Sequence, residues 1–218
     1  MNEQAVVARP GGVQTGRPTR AYARQRQEDL LECALQMFAQ YGFELTTLDA
    51  VAAAMNMTKR TIYARYKAKG ELFEAAVKRA IERWHIPIDV LRAADTGELE
   101  STLVAIGRLR VHNNLSAEGL RLQRIVTAEA FRFPEIFRTY ETVTMDVIQF
   151  LVETFEKYAA KEKTVWLSDP ELAASAFLSM VNAPARRILL FNRLPEPSEI
   201  ETLIERAVRL LLNGMRPR

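Results

Sequence analysis

The chain has 218 residues, 48% of them apolar, and a formal net charge of +3, enough for one large domain or two small ones around a sizeable core. A single cysteine excludes an internal disulfide framework, and no segment approaches the ~18 consecutive apolar residues of a membrane span. The charge is unevenly placed: residues 1–27 hold five Arg against one Glu (+4), residues 28–83 eight basic and eight acidic residues (zero), and residues 84–218 seventeen basic against eighteen acidic (−1). Residues 1–22 lack a hydrophobic period and contain Pro10, Gly11, Gly12, Gly16 and Pro18, so they read as a disordered basic arm. Helical spacing begins near Arg24, with Leu30, Leu31, Ala34, Leu35, Phe38 and Tyr41 running to a C-cap at Gly42. Thr46 or Thr47 should cap the next, short helix, with Asp49 completing a partial capping box after Thr46. After a turn at Met55-Asn56-Met57, Thr58 should cap a second short helix. A longer helix starts at Lys69, with Leu72, Phe73, Ala76, Val77, Ala80, Ile81 and Trp84 as its apolar stripe, and Pro87 stops it. Further helices are expected near 98–113, 117–131, 134–160, 169–192 and 198–213. Pro134 and Pro170 suit first turns there, and Asp169 suits a cap. No β-type alternation is sustained, so the expected fold class is all-α.

The segment Thr47 to Phe73 is the most specific in the chain. A small apolar helix (Ala50, Val51, Ala52, Ala53, Ala54) is followed by a tight turn and a basic helix opened by Lys59, Arg60 and Thr61. Asn56 stands where the turn needs positive φ, which Asn tolerates best after Gly. Ile62 and Tyr66 lie four apart and can pack back on Val51, Met55 and Met57. This is the layout of a DNA-binding helix-turn-helix.

The same residues resemble the N-terminal domain of the tetracycline-repressor (TetR) family of transcriptional regulators. Thr47 matches the threonine that opens the family's first motif helix, and Met55-Asn56-Met57 its usual Ala-Gly-aliphatic turn, with Asn56 departing from glycine. Thr58, Lys59, Thr61, Ile62 and Tyr63 match a Ser/Thr-Lys-x-Thr-aliphatic-Tyr run, and Tyr66, Lys69, Leu72 and Phe73 close the pattern. The match covers about residues 24–80. The run AEAFRFPEIF, residues 128–137, is similar to a stretch found in one branch of the family. The resemblance implies a three-helix DNA-binding domain over 23–70 and a larger helical domain over 71–218 for ligand binding and dimerisation. It implies a homodimeric regulator, in first place a repressor, released from an inverted-repeat DNA operator by a small-molecule effector. An activator of the same fold, or a helical interaction module, is the alternative.

For DNA, Thr58, Lys59, Arg60, Thr61 and Arg65 are the expected major-groove residues. Thr47, Tyr63 and Lys69 match positions that bind phosphate in the family. Gly16-Arg17-Pro18-Thr19-Arg20 resembles an AT-hook core, which places Arg17 and Arg20 in a narrow minor groove; an ordinary solvated tail is the other reading. The last two expected helices carry broad apolar faces. Phe177, Met180, Leu203, Ala207, Val208 and Leu211 are assigned to a dimer interface, which the resemblance implies; their periodicity would equally finish a monomer core. In the middle helices Trp84, Phe131, Phe137, Tyr140 and Met145, with Phe133, Phe150 and Phe155, are either core or the lining of an effector pocket.

Enzymatic chemistry finds no support. His85 and His112 stand in no metal-binding motif, and Pro87 separates His85 from Asp89. No phosphate loop or nucleophile elbow is visible. No enzyme, metal or cofactor is therefore expected. Cys33 falls on an apolar helical face and reads as core. With no signal peptide or membrane segment visible, a reduced cytoplasm is the expected location.

Overall fold

The computed structural model describes residues 19–161, 169–191 and 196–215. They form helices in this order: α1 Arg20–Leu45, α2 Leu48–Ala54, α3 Lys59–Arg65, α4 Lys69–Trp84, α5 Ile88–Ala93, α6 Leu99–Leu115, α7 Ala117–Glu129, α8 Pro134–Lys161, α9 Pro170–Phe191 and α10 Pro197–Gly214. The fold is all-α: a helix-turn-helix unit followed by a larger helical body. Among the described residues no helix is long and apolar enough to cross a membrane.

Local signals account for most helix ends. Thr19 opens α1, its hydroxyl accepting the Tyr22 N–H at 3.2 Å. Helix therefore begins at Arg20, so residues 20–22, expected in the arm, are helical; the rest of the expected arm lies outside the described residues. Gly42, at φ 79° and ψ 169°, breaks the regular turns of α1. The buried Thr46 hydroxyl shares its proton there between the carbonyls of Gly42 (2.9 Å) and Met37 (3.2 Å). Thr47 caps α2 by accepting the Ala50 N–H at 3.1 Å, while Asp49 pairs with Lys59 and forms no capping box. Asp169 caps α9 through the Leu172 N–H at 2.8 Å. The six-residue α5 was not expected; it is too short to show a period.

Two cores hold the described residues. The first gathers the buried faces of α1 to α4, including Leu30, Phe38, Val51, Ile62 and all seven stripe residues of α4, with Leu122 and Ile125 of α7 and Ile136 of α8. A boundary at residue 70 would cut this core, because α4 buries its stripe against α1 and α7 together. The second is built from α6, α8, α9 and α10 around Leu103, Phe155, Tyr158, Phe177, Val181 and Val208. Ion pairs tie the first unit to α7: Glu32 of α1 meets Arg83 of α4 and Arg121 of α7, each at 3.2 Å. Cys33 is partly buried, and burial raises its thiol pKa.

The α6–α7 turn requires glycine at position 119. A Cβ there would stand 2.4 Å from the Asn113 carbonyl oxygen and 2.9 Å from that of Asn114. Helix propensity alone would favour Gly119→Ala by ~1 kcal/mol. Overpacking against backbone costs about 1–3 kcal/mol, and these carbonyls cannot rotate away. Gly119→Ala is therefore expected to lower the urea midpoint; an unchanged or raised midpoint would show that the turn yields.

Candidate functional site

The DNA-facing unit is built on a rigid turn. Asn56 has φ 48°, the left-handed conformation expected of it. The turn is closed by the Met57 N–H on the Ala52 carbonyl at 2.8 Å. The Thr58 hydroxyl accepts the Thr61 N–H at 3.2 Å and lies 2.8 Å from the Thr61 hydroxyl. Ile62 is wholly buried and Tyr66 nearly so, which fixes the roll of α3 on α2. Thr58, Lys59, Arg60, Thr61, Tyr63 and Arg65 are all left exposed on one short helix and its cap.

The cations differ in what they already bind. Lys59 reaches the Asp49 carboxylate at 2.5 Å, and that carboxylate raises its pKa. Arg65 is bonded to the Gln27 amide, which in turn donates to the Tyr66 hydroxyl at 2.5 Å. Among the described residues Arg60 has no such partner and is the cation of α3 open to an incoming base or phosphate. Thr47 is exposed, although its hydroxyl is taken up by the α2 cap.

Two expectations need correction. Lys69 does not project as an unengaged phosphate ligand. Its ammonium donates to the carbonyls of Phe43 (2.7 Å) and Glu44 (3.0 Å) and lies 4.3 Å from the Phe43 ring centroid. It closes the carbonyl end of α1, where the helix dipole favours a cation. Arg20 belongs to the first turn of α1, not to an extended minor-groove segment. Arg17 lies outside the described residues.

The effector candidates divide. Phe131 is 99% exposed at the corner between α7 and α8, and Met145 is 52% exposed, so neither lines an interior pocket in this arrangement. Phe133 packs edge-on to Phe43 and joins the first core, while Phe150 and Phe155 belong to the second. The side chain of Phe137 lies outside the described residues. Trp84 and Tyr140 remain together: their rings stack at 5.7 Å with 16° between planes, joining the end of α4 to α8.

Sequence reasoning missed what surrounds that stack. Arg110 of α6 is 4% exposed, with its guanidinium carbon 5.4 Å from the Trp84 ring centroid. Its Nε has no hydrogen-bond partner. Burial lowers the Arg110 pKa, and Tyr140 is the nearby group opposing that shift. Burial likewise raises the Tyr140 pKa, opposed by Arg110. One turn along α6, Asn114 donates to the Asn182 side chain at 2.5 Å, while its own Oδ1 is unsatisfied. The signal was present, since Leu103, Ile106, Arg110 and Asn114 follow one another at spacings of three and four along one helical face. Among the described residues no cluster of His, Cys, Asp or Glu could hold a metal ion.

The dimer candidates divide as well. Phe177 and Val208 are wholly buried in the second core, and Ala207 is 9% exposed, so Phe177 and Val208 cannot form an outward interface. Leu211 packs on the same core. Met180, Leu203 and Ala207 instead line an open groove between α9 and α10, with Ala183, Leu210 and Asn213.

A helix-turn-helix with an exposed basic second helix, set on a larger helical body, defines a DNA-binding regulator. Comparison with known proteins names its family. Residues 30–76 match the family described as bacterial regulatory proteins, tetR family, and residues 101–214 match the AefR-like transcriptional repressor, C-terminal domain. The chain belongs to the TetR family of transcriptional regulators. It is 34% identical over 91 residues to a DNA-binding transcriptional repressor TetR of Mycobacteroides abscessus, covering 41% of this chain and 45% of that protein. It is 32% identical over 84 residues to the HTH-type transcriptional regulator AcrR of Shigella flexneri, covering 38% of this chain and 34% of that protein. The chain thus matches less than half the length of these curated relatives. Among solved structures, a TetR-family regulator of Mesorhizobium loti superposes with TM-score 0.75 at 21% identity, covering 92% of this chain and all of that one. A flavonoid-responsive regulator, FrrA, superposes with TM-score 0.65 at 26% identity, covering 90% and 99%.

Proposed function

We propose that this regulator is a homodimeric repressor that binds an inverted-repeat operator through α3 and is released by a small apolar or amphipathic effector. The observation that carries the operator reading is Arg60: an exposed, unpartnered cation in the first turn of a helix whose roll is locked by Ile62. Arg60, Thr61, Lys59 and Arg65 then read or line the major groove, and Tyr63 and Thr47 contact phosphate, which positions the protein without sequence information.

Arg60→Ala is expected to cost ~1–3 kcal/mol on the specific operator and to relax preference at one or two base positions. Selection of binding sites from genomic fragments with both proteins checks this. An unaltered sequence logo for the variant would remove Arg60 from base readout.

Release follows from where α4 lies. Its 16 residues span about 24 Å at ~1.5 Å per residue. One end carries Trp84; the other follows α3 after a link of three residues. An effector that moves the Trp84 end would tilt α4 and shift α3 with it. A dimer reads half-sites about 34–36 Å apart, so a displacement of a few ångströms at each α3 disfavours DNA. Linkage requires the reverse effect too: operator DNA weakens the effector by the same factor. The α9–α10 groove supplies the contact between copies. Its apolar strip of Met180, Ala183, Leu203 and Leu210 runs along two helices and faces outward, as a self-complementary four-helix interface needs.

A further inference from the structure

The stacked pair Trp84–Tyr140 borders a set of buried polar atoms with no partner. Arg110 is the sharpest case. A guanidinium is always protonated, and burying it uncompensated is costly. Among the described residues Arg110 has no carboxylate beside it; the neighbouring groups are the Trp84 ring face and the Tyr140 phenol. The Trp84 indole Nε1, also buried, donates to nothing. Two buried N–H donors without acceptors therefore belong to the two residues of one cation–ring contact. The Asn114 Oδ1 one turn away is an acceptor without a donor. Natural interiors pair such groups, so several orphans in one place mark something that binds there. An acceptor carrying negative charge would satisfy both donors at once, and the flat face of the Trp84–Tyr140 stack suits an aromatic body next to it.

We propose that Arg110 and the Trp84 indole N–H form the acid-binding end of the effector site, which takes an oxyanion, in first place a carboxylate, carried on an apolar aromatic skeleton. The proposal rests on the effector reading above and adds the charge of the ligand. Arg110 neutralises the acid, Trp84 Nε1 donates to its second oxygen, and Tyr140 packs on the ring system. Because Trp84 ends α4, the acid pulls on the same helix that sets the position of α3.

The test uses two probes with one N-phenylnaphthylamine skeleton: anionic 1-anilinonaphthalene-8-sulfonate and neutral N-phenyl-1-naphthylamine. Both are titrated by fluorescence into the full chain, Arg110→Met, Arg110→Lys and Trp84→Phe. Both probes are expected to bind the wild type. Arg110→Met should weaken the sulfonate about tenfold or more, as expected for loss of a hydrogen bond to a charged group, and leave the neutral probe within about twofold. Arg110→Lys should retain part of the sulfonate affinity, and Trp84→Phe should lose part of it. Ligand-free Arg110→Met should also melt at or above the wild-type temperature, because it removes an unpaired buried charge. A lower melting temperature with sulfonate binding intact would make Arg110 a structural residue and overturn the proposal. Equal effects on both probes would overturn it too. If only the neutral probe binds the wild type, the anion assignment falls while an effector site stands; if neither binds, the effector reading falls with it. Should Arg110→Met not fold, the contrast between the probes in Arg110→Lys and Trp84→Phe decides alone.

Discussion

Val208→Glu is expected to abolish folding of the C-terminal body rather than to separate two folded subunits. Val208 has no exposed surface and sits in the core with Ile204, Phe177 and Val181. An unpaired charge there costs about 3–5 kcal/mol. Loss of the valine packing adds to that, against a total stability of only ~5–15 kcal/mol for a typical domain. The expected result is loss of the cooperative thermal transition and recovery of the protein in aggregates. A folded variant with a normal melting curve would mean that α10 can rotate its Val208 face outward.

Leu210→Glu should do what Val208→Glu cannot. Leu210 is 69% exposed and borders the α9–α10 groove. In the isolated subunit the substitution touches no core contact, so its effect on stability should stay within about 0.5 kcal/mol. At the proposed interface the carboxylate would be buried opposite its own copy. Sedimentation should then report a folded monomer. Operator affinity should fall by about 10²–10⁴, because the second half-site contact is no longer tethered to the first. Leu203→Glu, deeper in the same groove, should act in the same direction with some loss of subunit stability. A Leu210→Glu protein that remains dimeric would move the interface off this groove. A monomer that binds the operator as tightly as the wild type would refute the two-half-site mechanism.

The contrast between Val208 and Leu210 turns on two residues of one helix. Two positions apart, they point to roughly opposite sides of α10, and since both sides carry apolar residues, periodicity says only that each is covered by something. Which part meets α6 and α9 of the same chain, and which part is left facing outward, depends on how α10 crosses them. Gly107 marks that crossing: Ile204 comes so close that a Cβ there would stand 2.8 Å from its Cγ2. Lys69 is a similar case. In sequence it is a basic residue beside a DNA-binding motif. In the fold it reaches back 26 residues to the Phe43 carbonyl, a partner created only by the Gly42 break.

By itself the sequence determined the all-α class, the caps at Thr58 and Asp169, the positive-φ turn at Asn56 and the apolar stripe of α4, and its motif carried the resemblance to the regulator family; for α2 it left Thr46 and Thr47 as alternative caps. The caps, the turn and the stripe follow from short-range physics: a cap bonds three residues on, a stripe repeats every three or four, and a turn conformation is a property of one residue. Only the tertiary structure decided that Phe177 and Val208 are interior, that Phe131 is outside, and that Arg110 is buried against Trp84 with no counter-charge among the described residues. These depend on packing between segments far apart in the chain, where a residue's type constrains its neighbours weakly and the crossing of whole helices sets the contacts.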